Sequence, residues 1–70
     1  MKRFRLSEVA RIMGFDYSSL RTQVKKREEI LKAKGLLAVE ESLVNKKYYV
    51  LVEPKEFIER LRKIIRGEDE

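Results

Sequence analysis

Two periods of apolar residues run along this chain, and each marks a different kind of element. Near the start, Phe4 and Leu6 alternate with Arg3 and Arg5, so Lys2–Leu6 reads as a short strand. From about Ser7 the spacing turns helical. Val9, Ile12 and Met13 form a buried stripe, and Ala10 is small enough for a close helix contact. Ser7 is the expected N-cap, Glu8 suits the positive end, and Gly14 terminates the helix. Asp16 caps a second helix, with Phe15 before it as a hydrophobic staple. Leu20, Val24, Arg27 and Leu31 lie along one face of that helix and Ile30 widens its apolar end. Gly35 is the C′ residue, with Lys32 and Lys34 in the last turn, so one continuous helix of about five turns is expected up to Lys34. Arg27 falls on the stripe; its stem packs while its head reaches water.

Beyond Gly35 the period becomes two. Leu37 and Val39 alternate with polar or small neighbours, and Tyr48-Tyr49-Val50-Leu51-Val52 is aromatic and β-branched. A hairpin follows, its tip somewhere in Glu41–Lys46, with Asn45-Lys46 suited to the turn because Asn tolerates the left-handed conformation. A tip at Asn45–Lys47 holds the acids Glu40 and Glu41 back; a tip at Glu41–Ser42 brings them forward. The Lys2–Leu6 strand can add a third strand at the edge. Pro54 sits at a natural helix start, and Phe57, Ile58, Leu61, Ile64 and Ile65 make a broad apolar stripe, supported by Glu56–Arg60 and Glu59–Lys63 pairs. The predicted order is β-α-α-β-β-α. That makes an α+β fold: a helix-turn-helix over about 7–34, a hairpin over about 36–52 and a closing helix over about 54–66, with an acidic tail at 67–70. This is the plan of a small winged helix in a single domain.

Composition narrows the chemistry. Seventy residues make one modest core and leave little room for a deep pocket. Cysteine and histidine are both missing, which removes thiolate nucleophiles, the commonest general base and the commonest metal ligands. No enzyme, metal, cofactor or small-molecule ligand is expected. The first residues lack the apolar core of a signal peptide, and no run approaches the roughly 18 apolar residues of a membrane span. A soluble, cytoplasmic, nucleoid-associated protein is therefore expected. Heavy use of Lys, Glu and Arg, with one Asn and one Gln, hints at a thermophile.

Charge is uneven along the chain. The net charge is +5, yet residues 1–27 carry eight bases against two acids while residues 28–70 carry nine against ten. A one-sided basic excess suits a polyanion. It coincides with the outward positions of the second helix: Tyr17, Ser18, Ser19, Arg21, Thr22 and Lys25, followed by Lys26. All can donate hydrogen bonds, and none is aliphatic. Such a face suits the major groove of DNA, where Arg21 can address guanine O6 and N7 together.

Val9-Ala10-Arg11-Ile12-Met13-Gly14, followed by Leu20-Arg21, resembles the DNA-binding domain of the MerR family and its excisionase-like relatives. Gly35-Leu36-Leu37 and Lys47-Tyr48-Tyr49 resemble that family's entry into the wing and its returning strand. The resemblance spans about 6–51 and is dense over 9–21. It implies that Tyr17 to Thr22 face bases and backbone and that Lys46 and Lys47 contact phosphates. Two features depart from it: Leu20 to Gly35 is about two turns longer, and no long dimerisation helix follows. The expectation is thus a stand-alone binder of specific double-stranded DNA, a small transcriptional or mobile-element regulator. The N-terminal bases Arg3 and Arg5 would join the hairpin on phosphates. Tyr48 and Tyr49 point to opposite faces of their strand, so at most one could stack on single-stranded bases while the other packs in the core.

The last helix carries more apolar surface than closing the core needs. Phe57, Leu61, Ile64 and Ile65 are expected to pair two copies, placing recognition helices about 34 Å apart. The competing reading is a winged-helix protein-interaction module that docks on a larger complex through this helix.

Overall fold

The computed structural model describes residues 3–67. Within them the order is β1 (Phe4–Arg5), α1 (Leu6–Met13), α2 (Tyr17–Lys26), α3 (Glu28–Ala33), β2 (Leu37–Glu41), β3 (Lys46–Val50) and α4 (Pro54–Ile65). The strands form one antiparallel sheet in the order β1-β3-β2. Lys2 and the residues of the acidic tail after Gly67 lie outside the described residues. This is an α+β fold with the helices on one face of the sheet.

The chain turns from β1 into α1 at Arg5, one residue pair earlier than the sequence pattern suggests. Arg5 is the N-cap, and its backbone N–H donates to Glu8 Oε1 at 3.1 Å. Ser7 is therefore inside the first turn and caps nothing. The shift also changes the buried stripe. With Leu6 in the helix, the inward set is Leu6, Val9 and Ala10 with Met13 beside it, and Ile12 is left 58% exposed. Gly14 ends α1 at φ 73°, and Phe15 N–H closes onto Ala10 carbonyl at 2.8 Å. A Cβ at Gly14 would meet no atom within 4 Å, so only the left-handed backbone resists substitution. Gly14→Ala is expected to cost about 1 kcal/mol, visible as a lower urea midpoint with an unchanged slope.

The long second helix is broken. It stops at Lys26, Arg27 adopts φ −117° and ψ 22°, and α3 begins at Glu28. No proline or glycine stands there. The reason lies in the stripe: a straight helix would carry the Arg27 guanidinium into the core between Val24 and Leu31, at the cost of desolvating a charge. The break lifts it out, where its Nη1 donates to Gln23 Oε1 at 2.8 Å. Val24 and Leu31 still bury completely on either side of the break. Ile30 does not widen the apolar end; it is 47% exposed. Gly35, at φ 72°, ends α3 as Gly14 ends α1, with Leu36 N–H donating to Leu31 carbonyl at 3.0 Å.

In the hairpin, Glu41 faces Lys46 and Leu37 faces Val50. The tip is thus Ser42–Asn45. Asn45 has no left-handed backbone; Ser42 closes the loop instead. Its Oγ accepts from Asn45 N–H at 3.0 Å, and its own N–H donates to Asn45 carbonyl at 2.8 Å. Tyr48 and Val50 point into the core while Tyr49 lies half-buried on the outer face of the sheet, as strand alternation requires. Pro54 opens α4 at its first turn. Phe57, Ile58 and Leu61 fill the centre of the core against α1, and no helix among the described residues is long and apolar enough to cross a membrane.

Candidate nucleic-acid interface

Residues 17, 18, 21, 22 and 25 recur at helical spacing, so a single turn of α2 after another presents one row. Tyr17, Ser18, Arg21, Thr22 and Lys25 do line one shallow surface groove, which contains no acid. Two features hold α2 in this attitude. Asp16 Oδ2 accepts from Ser19 N–H at 3.0 Å at its start, and Leu20 and Val24 anchor its inner side. Thr22 Oγ1 donates to Ser18 carbonyl at 2.9 Å, which leaves the hydroxyl oxygen free only to accept. Ser19 is not part of the row. Its side chain lines the opposite side of α2, towards α4.

Bases extend the row at both ends. Arg5, Tyr17 and Lys47 share a depression beside the start of α2. Arg21 and Lys25 share another with the hairpin tip, where Lys46 and the acid Glu41 also line it. Among the described residues, Arg5, Arg21, Lys25, Lys26 and Lys47 enter no ion pair. The Arg21 guanidinium lies 5.9 Å from the centroid of the Tyr48 ring, which steadies it while leaving its donors exposed. The acids of the hairpin are held: Glu40 pairs with Arg3 at 3.6 Å and Glu41 with Lys46 at 3.5 Å.

Two expected phosphate contacts are engaged elsewhere. Arg3 lies on the outer face of the sheet, over Tyr49 at 5.7 Å and against Glu40. Lys46 is clasped by Glu28 at 2.8 Å as well as by Glu41. In the sequence Glu28 is one more acid on a charged helix, crowding the turn after the basic face with Glu29. The break at Arg27 brings it beneath the hairpin. There its carboxylate also accepts from the Tyr48 hydroxyl at 3.1 Å and meets Lys32 at 3.7 Å.

This clasp ties the hairpin to the end of the α2 surface and perturbs its members. The Lys46 hydrogen bond holds Glu28 below the ordinary carboxylate range, and Glu28 in turn raises Lys46. Burial, and then the Glu28 carboxylate, raise Tyr48. A depressed acid stabilises the fold at neutral pH and loses that contribution as pH falls through its folded value. Glu28→Gln should therefore lower the urea midpoint at pH 7, and the gap to the parent should close as the pH falls through the lowered pKa of Glu28.

Phe57 and Leu61, expected at a dimer contact, are instead 0% and 3% exposed within the core; Ile64 is half-buried, and Ile65 is 43% exposed. Phe15, expected as the staple before the second helix, is not buried there. It is 37% exposed, with Arg62 over its ring at 5.7 Å.

No protein-family model, curated protein or solved structure matches this chain.

Proposed function

We propose that this protein is a winged helix-turn-helix that binds specific double-stranded DNA, with α2 in the major groove and the β2–β3 hairpin as its wing. The observation that carries this reading is the acid-free row of Tyr17, Ser18, Arg21, Thr22 and Lys25, continued by Arg5 and Lys47 beside Tyr17. Hydroxyl groups of different reach, Thr22 as an acceptor and Tyr17 and Ser18 as donors, stand there beside unpaired cations, as base edges and phosphates require. The resemblance to MerR-like and excisionase-like domains over residues 9–21 agrees with it. The role that follows is an intracellular regulator acting without cofactor. A second reading, a protein-interaction module, draws support from the exposed Ile65 on α4.

Salt separates the two. Binding to duplex fragments should weaken steeply, with a log–log slope of about −4 if most of the five free cations meet phosphates. Selection from a random duplex pool should then return a preferred site. A slope near zero would exclude the DNA reading and favour the module.

A further inference from the structure

The hairpin ends in two aliphatic side chains with nothing against them. Leu43 is 106% exposed and Val44 89%. Their place is fixed twice over. Ser42 Oγ accepts from both Val44 and Asn45 N–H, at 3.4 and 3.0 Å, which closes the loop. Lys46, the first residue of β3, is clasped by Glu28 at 2.8 Å, which ties the hairpin to the start of α3. Two aliphatic residues held out into water at the end of a tethered hairpin mark a contact surface.

The surroundings narrow what that surface touches. Leu43 and Val44 line one depression with Arg21 and Lys25, so the tip stands on the side of α2 that carries the acid-free row. Arg21, Lys25 and Lys46 stand in that depression against one acid, Glu41, which is itself paired with Lys46 at 3.5 Å. The partner that fits is a polyanion with apolar surface within a side chain's reach of its charges. Duplex DNA offers this in its minor groove, where an aliphatic side chain can slip between base pairs and unstack one step. That groove is about 6 Å wide; it excludes a hairpin but admits a side chain. An anionic bilayer also joins charge to apolar surface, but it gives the neighbouring Ser18 and Thr22 hydroxyls no fixed pattern to meet.

We propose that Leu43 and Val44 act as a wedge. While α2 occupies the major groove, the hairpin tip enters the adjacent minor groove, opens one base step and bends the duplex towards the major groove. This rests on the DNA reading above and adds to it a second source of sequence preference. Pyrimidine–purine steps such as TA and CA/TG open most easily. The preferred site therefore carries one beneath the tip, at base pairs that no side chain of α2 reaches, and Lys25 meets the phosphate beside it.

The test uses the duplex selected from the random pool, with a dye pair at its ends and 2-aminopurine at the flanking pyrimidine–purine step. The parent protein should bend it by about 20° or more and brighten the 2-aminopurine as its step unstacks. It should bind at least about tenfold tighter when that step is mismatched, because opening then costs less. Leu43→Ser combined with Val44→Ser changes only exposed positions, and circular dichroism checks its fold. That variant should keep the salt slope and the base preference of the α2 row while losing the bend, the brightening and the mismatch gain. Leu43→Met should retain all three. A straight complex, or a bent one indifferent to the double serine change, would overturn the wedge and leave the DNA reading standing. Absence of any salt-dependent duplex binding would overturn both. Tip-dependent binding to phosphatidylserine vesicles without a bent duplex would overturn the wedge and assign the tip to a membrane surface.

Discussion

Replacing Phe57 by alanine is expected to leave much of the protein unfolded at 37 °C. Its ring is completely buried where α4 closes over α1 and the sheet. Deleting a buried aromatic side chain costs about 3–5 kcal/mol, because the lost transfer energy is joined by a cavity that the surroundings fill only in part. A domain of this length holds only about 4–10 kcal/mol in total. The control is Ile65→Ala on the same helix, where the side chain is 43% exposed; it should stay within about 0.5 kcal/mol of the parent. Urea unfolding followed by circular dichroism measures both. Similar midpoints for the two variants would mean that α4 is not docked through Phe57.

The same contrast explains what the sequence could and could not disclose about α4. Period alone groups Phe57, Ile58, Leu61, Ile64 and Ile65 into one stripe about a hundred degrees wide or more. Which part is core and which part is left over depends on how far the neighbouring elements reach, and that is a tertiary fact. Punctuation was more legible. Gly14, Gly35 and Pro54 each stand where the backbone needs a left-handed residue or a fixed φ; Gly14 and Pro54 bound the helices they were expected to bound, whereas Gly35 closes the separate α3 rather than one long second helix. The errors came from two local competitions. Leu6 joined the helix rather than the strand, and that single residue turned Ile12 from an inward position to an exposed one. Arg27 interrupted a stripe otherwise good for a long helix, and the chain broke there rather than bury a charge. That break creates the Glu28 clasp under Lys46 and Tyr48. Its partners are far apart in sequence and joined by no spacing rule, so nothing short of the fold brings them together. The outward row of α2, by contrast, follows from helical spacing once the start at Asp16 is known. Two of the expected residues leave it: Ser19 faces α4, and Lys26 lines a separate surface beside Glu28 and Glu29.

Arg21→Ala is expected to cost about 1–3 kcal/mol of binding to the preferred duplex and to flatten discrimination at one base pair. Position 21 lies in the middle of the acid-free row, and its guanidinium is steadied against Tyr48 at 5.9 Å without an ion pair to hold it back. A planar fork with parallel donors can take guanine O6 and N7 together; a lysine ammonium offers the charge without that geometry. Arg21→Lys should therefore keep the salt slope of the parent while losing its preference at that base pair. Lys26→Ala supplies the opposite pattern. As a phosphate contact it should weaken preferred and random duplexes alike and reduce the slope by about 1. Competition titrations at several salt concentrations read affinity, slope and preference separately. If Arg21→Lys restores discrimination as well as slope, Arg21 acts as a point charge on the backbone, and the reading of sequence must be sought in Tyr17, Ser18 and Thr22.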